Sequence, residues 1–172
     1  IDSIWVTPQD DSTNEVAQAP SEVINAILNA DVIVLGPGSL FTSVLPNLIV
    51  PNFAEALKAT RAKVVYIANI MTQKGETDDF SDADHLRAIN RHVGDNVVDA
   101  VIMNTGVVPE DYIDWKKWNE VSHQVTFDPE EVRQEGAVPV LGDLLELRDD
   151  GAFHNGDIVA QLIMQIANSP EI

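Results

Sequence analysis

Cysteine is absent from these 172 residues. That excludes a disulfide scaffold, a thiol nucleophile and a zinc site with thiolate ligands. Positive charge is scarce: 10 Lys+Arg stand against 28 Asp+Glu, for a net charge of −18 with histidine neutral. Phosphate backbones and anionic lipid would be repelled, so no nucleic-acid or membrane-surface partner is expected. No apolar run approaches the ~20 residues that a spanning helix needs, so no membrane insertion is expected either. The chain starts without an initiator methionine and without a charged leader ahead of an apolar run, so no signal peptide is visible. Alternation at Ile4 and Val6 reads as a strand already under way, as if these residues continued a longer chain.

What is present suffices for a core. Hydrophobic residues make up 45% of the chain, and the length suits one domain over residues 1–172. Val32-Ile33-Val34-Leu35 is an apolar run stopped by Gly36-Pro37-Gly38. Val64-Val65-Tyr66-Ile67-Ala68 is a second, and Val97-Val98 with Ala100-Val101-Ile102-Met103 a third. Such β-branched runs suit strands buried on both faces, as in a parallel sheet. Helical patterns lie between them. Val23, Ile24, Ile27 and Leu28 follow Pro20-Ser21, and Phe53, Ala54 and Leu57 follow Pro51. Leu86, Ile89 and Val93 follow Ser81, with Asp84 placed for a capping box. Ile158, Val159, Leu162, Ile163 and Ile166 form a stripe after Asn155-Gly156. Strand–helix alternation predicts an α/β fold, a Rossmann-like three-layer sandwich with a mainly parallel sheet. The stretch from Tyr112 to Phe153, with strand-like Val138-Pro139-Val140-Leu141, reads as a peripheral excursion.

Ligands of open parallel sheets bind beyond the carboxyl ends of the strands. Three such ends change abruptly from apolar to small or polar residues: Gly36 to Ser43, Asn69 to Asp78, and Asn104-Thr105-Gly106. Together they predict a shared polar crevice. Gly36 and Gly38 allow a sharp bend and close approach to a ligand. Ser39, Thr42 and Ser43 offer hydroxyls, and a helix starting there would aim N–H groups at an anion. The motif is neither a P-loop nor a full GxGxxG, since no GK[ST] follows and Phe41 replaces the third glycine. A plain tight turn explains it equally well. Glu76 and Asp78 precede the cap at Ser81, so helix capping accounts for them poorly. Either is a candidate general base or Mg²⁺ ligand. Asp79, Asp82 and Asp84 are better read as complementing a helix dipole. His85, His92, His123 and His154 show no metal-binding spacing. Arg87 and Arg91 read as solvated, with an anion contact open to Arg87. Trp115 and Trp118, flanking Lys116-Lys117, fit packing against the core or a partner, or stacking on a base or sugar.

The segment Val34 to Leu48, containing Gly36-Pro37-Gly38-Ser39-Leu40-Phe41-Thr42-Ser43 and Pro46-Asn47-Leu48, resembles the signature of the YvcK/CofD-like family. Asn69 to Asp78, Ser81 to His85, and Asn104-Thr105-Gly106 with Pro109 resemble its further blocks. The resemblance covers about Ile1 to Ile166. It implies a Rossmann-like fold in a cytoplasmic bacterial protein. One branch of the family transfers a phospholactate unit from a nucleotide-activated donor to a deazaflavin, with Mg²⁺ as its expected cofactor. The other is described as a gluconeogenesis or morphogenesis factor that binds UDP-activated amino sugars. The transferase branch has G-P-S-N-P where this chain has Gly36-Pro37-Gly38-Ser39-Leu40, so the chain resembles the UDP-sugar branch. The ligand-binding residues so implied are Gly36, Pro37, Gly38, Ser39, Thr42, Ser43, Asn47, Thr72, Thr77, Asp78 and Asn104, with Asp78 and Glu76 the catalytic candidates and Asp78 a metal candidate. The implied partners are a nucleotide sugar, a protein of envelope synthesis and a second copy of the chain. Two departures are visible. The family's N-terminal glycine-rich strand–loop is absent from these residues. Phe153-His154-Asn155 also replaces an Arg-His-Asp, leaving a protonated His154 to compensate.

Overall fold

The computed structural model describes residues 1–7, 16–114, 122–170 and 172. Its framework is a four-stranded, all-parallel sheet in the order β1-β2-β3-β4. The strands are β1 (Val32–Leu35), β2 (Lys63–Ile67), β3 (Ala100–Asn104) and β4 (Val138–Gly142). Sequential order and parallel pairing require every connection to cross back over the sheet. Helices α1 (Ser21–Leu28), α2 (Leu45–Leu48), α3 (Pro51–Ala59), α4 (Asp82–Val93), α5 (Pro129–Gln134) and α6 (Gly156–Asn168) surround it. A two-stranded antiparallel hairpin, β5 (Leu145–Arg148) and β6 (Gly151–His154), precedes α6.

Alternation along each strand sends successive side chains to opposite faces. Leu35, Val64, Tyr66, Val101 and Met103 join residues of α2, α3, α4 and α5 in one core. Val65, Ile67, Ala100 and Ile102 join Val159 and Ile166 of α6 in the other. The result is the expected three-layer α/β arrangement. All five residues of β3 are buried, as the unbroken apolar run predicts for a central strand.

The helix boundaries follow their local chemistry. Ser81 Oγ accepts from the Asp84 N–H at 3.1 Å, and Asp84 Oδ2 accepts from the Ser81 N–H at 2.9 Å, a complete capping box at α4. Gly94 ends that helix with φ 77. Asn155 caps α6 by accepting from the Ile158 N–H at 3.2 Å. The other end of α6 is closed from a distance. Lys63 Nζ donates to the carbonyls of Ile166 at 2.8 Å, Ala167 at 3.3 Å and Ser169. One ammonium thus satisfies orphaned carbonyls at the negative end of the helix.

Three expectations are corrected. Residues 1–7 form no strand; Ile4 instead packs on the core as an irregular arm, its N–H donating to His92 Nε2 at 3.2 Å. Val138-Pro139-Val140-Leu141 is no peripheral excursion but the fourth sheet strand, with Val138 opposite Ala100 and Val140 opposite Ile102. Pro139 is tolerated because β4 is the last strand of the sheet, where one side of the backbone has no ladder to join. Arg87 and Arg91 are ion-paired, Arg87 with Asp84, Glu131 and Glu135, and Arg91 with Asp2. Arg87 therefore joins α4 to α5. Its guanidinium pKa is raised, first by the hydrogen bond to Glu135. No single helix among the described residues is long and apolar enough to cross a membrane.

The Lys63 cap sets an expected outcome. Lys63→Met keeps the aliphatic stem but leaves the last carbonyls of α6 without their donor. Thermal unfolding of the full-length protein should shift down by roughly 2–6 °C, for about 1–2 kcal/mol lost. An unchanged melting temperature would show that water replaces the ammonium at no cost.

Candidate functional site

The parallel register brings the polar loops to one lip. Leu35 pairs with Tyr66 and Ile67 with Ile102. Gly36 lies against the Ile67 carbonyl, and continuing the β2–β3 register past the strand end places Asn69 level with Asn104. Asn104 pairs in turn with Gly142. The three loops picked out in the sequence therefore begin side by side.

The first loop is an open bend. Gly36 has φ 89, and a Cβ there would lie 3.3 Å from the Ile67 carbonyl. Backbone strain and the neighbouring strand both require glycine. The Gly36–Pro37 peptide is cis. Gly36 and Pro37 are exposed, Gly38 and Ser39 half-buried. The chain then enters a π-helical turn, Leu40–Val44, continuous with α2. The N–H groups of Ser43 and Val44 both donate to the Ser39 carbonyl, at 2.9 and 3.1 Å. Phe41, in place of a third glycine, is buried against Phe80 and His92 in edge-to-face contacts and anchors the turn. Thr42, Ser43 and Asn47 face outward. Asn47 donates to the Ser43 carbonyl at 2.8 Å. The hydroxyls of Ser39, Thr42 and Ser43 make no hydrogen bond within the described residues.

The second loop is fastened from within. Thr72 and Thr77 are buried, at 3% and 0% exposure. Thr77 Oγ1 accepts from the Gln73 N–H at 2.8 Å, and Thr72 Oγ1 from the His123 N–H at 3.0 Å. Asp78 Oδ2 accepts from the Gly75 N–H at 2.6 Å. These three ligand-binding candidates thus shape the loop, and the two threonines offer no exposed hydroxyl. Glu76 differs: its Oε2 is buried without a hydrogen-bond partner. The segment from Ser122 to Thr126 straps the loop down, with Val125 N–H on the Ile70 carbonyl at 2.9 Å and Thr72 N–H on that of His123 at 2.7 Å. No local pattern in residues 122–126 announces this strap.

The third loop is held by Asn104. Its Oδ1 accepts from the N–H groups of Gly106 and Leu144, both at 3.0 Å, and its Nδ2 donates to the Gly106 carbonyl at 2.8 Å. A Cβ on Gly106 would sit 2.4 Å from Asp143 Oδ1. Asn104 is therefore a clamp on the lip. His154 Nε2–H donates to the Ala68 carbonyl at 3.0 Å, and burial lowers the ring's pKa. A neutral His154 does not supply the charge of the missing arginine.

A metal fits this lip poorly as a resident group. Among the described residues no three His, Asp or Glu side chains gather, and Asp78 is engaged with Gly75. With no cluster of carboxylates to hold it, Mg²⁺ would arrive with a ligand's own phosphates. Trp115 and Trp118 lie outside the described residues.

Beneath the lip, α4 begins with a buried carboxyl. Asp82 is 4% exposed, and its N–H donates to the Thr126 carbonyl at 3.0 Å. Burial raises its pKa to about 7; the Asp128 N–H pulls it down and the Asp128 charge pushes it up. The reading of Asp82 as a simple dipole complement is therefore incomplete, because burial disfavours its charged form. His85 is wholly buried with Nδ1 on the Ser81 carbonyl at 2.8 Å, and burial lowers its pKa.

Comparison with known proteins locates this lip in a family. The sequence profile described as "2-phospho-L-lactate transferase CofD" matches residues 1–145. A Lactococcus lactis protein named "Putative gluconeogenesis factor" is 47% identical over 171 residues, 99% of this chain and 52% of its own length. A Streptococcus pyogenes protein of the same name is 44% identical over 166 residues, 96% of this chain and 50% of its own. A crystal structure of a Bacillus halodurans protein superposes with a TM-score of 0.83 at 38% identity, covering 93% of this chain and 49% of that one. The chain spans about half the length of the curated relatives it matches.

Asp82 generates a pH prediction. Its folded pKa lies above the unfolded value, so its contribution to stability is complete below the unfolded pKa and is lost as pH rises through about 7. Asp82→Asn keeps the shape and removes the ionisation. At pH 8 the variant should be more stable than the parent by roughly 1–4 kcal/mol, with the two converging near pH 4. Denaturant titration at both pH values checks this; parallel curves across the range would show that Asp82 is not the titrating group.

Proposed function

The chain belongs to the CofD family, and we propose that it binds a nucleotide-activated amino sugar, a UDP-sugar, through its diphosphate at the Gly36–Ser43 bend. The observation that carries this reading is the group of hydroxyls on Ser39, Thr42 and Ser43. They stand at the head of a helix, on an open glycine bend, with no internal partner. Ser81 and Asn155, by contrast, cap their own helices. Hydroxyls left free at a helix start suit an anion, and uncharged donors suit a chain whose net charge is −18. Such a protein acts in the cytoplasm, where UDP-sugars are made, as a sensor coupling carbon supply to envelope synthesis and cell shape.

Glu76 favours a second reading. A buried carboxylate oxygen with no partner, on the loop after β2, suits a general base on an acceptor hydroxyl in a phospholactate-type transferase. That enzyme would release nucleoside monophosphate from a nucleotide-activated donor in the presence of Mg²⁺. Glu76→Gln should then abolish the release. Asp78→Asn should act only through the turn it holds at Gly75.

Calorimetry on the full-length protein separates the two. UDP-N-acetylglucosamine should bind, and Thr42→Val with Ser43→Ala should weaken it by about 10-fold or more, two lost hydrogen bonds of about 1 kcal/mol each, with the melting temperature unchanged. No heat at millimolar ligand with folded protein would reject the UDP-sugar reading.

A further inference from the structure

Residues 1–7 cross α4 as a thin arm. All of them are exposed except Ile4, which is half-buried and packs on the core. An open groove of about 450 Å³ separates Ile1 and Asp2 from Phe80, Asp84, Arg87 and Arg91. Three polar ties fasten the arm. The Ile1 nitrogen donates to the carbonyls of Glu76 at 2.9 Å and Gly75 at 3.4 Å. Asp2 pairs with Arg91 at 3.0 Å, an exposed ion pair of a kind worth about 0–1 kcal/mol. The Ile4 N–H donates to His92 Nε2 at 3.2 Å. A segment with so few buried contacts opens at low cost. The Ile4 tie, which alone joins apolar packing to a partly buried hydrogen bond, therefore decides whether the arm stays down.

That tie sets a proton requirement. His92 Nδ1 lies 2.7 Å from the Ala88 carbonyl, which can only accept. Nδ1 therefore carries the ring proton, and Nε2 is bare and accepts from Ile4. One tautomer of the neutral ring satisfies both partners. A second proton would sit on Nε2 and point at the Ile4 N–H, donor against donor. The ring has little room to turn away, because Phe41 stands edge-to-face against it at 6.0 Å between centroids. Yet His92 occupies the last turn of α4, where the helix dipole favours a positive charge. The arm and the helix end thus favour opposite protonation states of one imidazole.

The charged groups on the surrounding elements are already committed. The arm brings Asp2, which is paired with Arg91. Helix α4 brings Arg91, Arg87 and Asp84, the last two paired with each other. Helix α5 brings Glu131 and Glu135, both on Arg87. The Leu40–Val44 turn and α2 bring no titratable side chain. The loop after β2 meets the arm through the backbone of Gly75 and Glu76.

We propose that residues 1–7 form a latch across α4, closed by neutral His92 and opened when that ring is protonated. The arm and its grip on the Gly75–Glu76 backbone then respond to pH between about 8 and 5, the interval in which histidines change charge. Nuclear magnetic resonance on the full-length protein reads both parts. At pH 8 the ring proton of His92 should sit on Nδ1, and the Ile4 amide should have the order parameter of a rigid backbone, about 0.85; at pH 5 it should fall below about 0.6. His92→Gln offers an amide oxygen and never ionises, so Ile4 should stay ordered at both pH values. His92→Arg is a permanent cation with no acceptor, so Ile4 should be mobile at both. A ring proton on Nε2 at pH 8, or an Ile4 amide equally ordered at pH 8 and pH 5 in the parent, overturns the latch, and neither reading needs a variant that folds. An ordered Ile4 in His92→Arg overturns it as well. So does a pH response that persists in His92→Gln, which would assign the change to another group such as Asp82 at the far end of α4.

Discussion

The parallel register of β1, β2 and β3 is the constraint on which the rest of the molecule depends. Each strand ends at nearly the same level, with Gly36, Asn69 or Asn104 at its end or within two residues of it. Gly36 lies against Ile67, and Asn69 falls level with Asn104 because Ile67 is opposite Ile102. A shift of one residue would turn every side chain of a strand to the other face. Val64 and Tyr66 would then leave the core they share with Leu86 and Ile89. Packing on both faces therefore holds the lip in place indirectly, because the loops have no freedom to slide while the strands are locked.

Loop shape and loop chemistry are assigned to different residues. Thr72, Thr77, Asp78 and Asn104 direct their polar atoms into neighbouring backbone. Ser39, Thr42, Ser43, Asn69, Gln73 and Glu76 do not. In a sequence the two sets look alike, since both are hydroxyls, amides and carboxylates at strand ends. Only the hydrogen-bond partners separate them. This is why the row of polar strand ends was legible in the residues and the bonding of each side chain was not. That Thr77 would be wholly buried and Glu76 left with an unpaired oxygen depended on where a distant segment, Ser122 to Thr126, came to lie.

The fold itself was readable wherever local chemistry decided it. The capping box at Ser81 and Asp84, the asparagine cap at Asn155 and the apolar run of β3 each carry their own signal. Readings failed where tertiary context overrode the local pattern. Val138 to Leu141 holds a proline and sits among glycines, so its composition argues for a loop. Its place in the sheet comes from pairing with β3, and Pro139 is accepted because nothing among the described residues pairs beyond β4. Arg87 and Arg91 repel each other when only their helix is considered. The acids that compensate them, Glu131, Glu135 and Asp2, come from elements remote in sequence.

The net charge of −18 then narrows how an anion can be held at all. A long-range repulsive field opposes any diphosphate, and screening removes it only beyond about 8 Å at physiological salt. Compensation must come from within hydrogen-bonding distance. Lys63 is directed at the end of α6, and Arg87 and Arg91 at carboxylates. His154 is kept neutral by burial. The lip has Lys74 in its second loop, main-chain N–H groups at the start of the Leu40 turn and the hydroxyls around them. The uncharged donors act over a few ångströms and carry little field beyond. The acidity of the chain and the polarity of its lip thus act at different ranges: the first disfavours polyanions at a distance, and the second offers short-range donors.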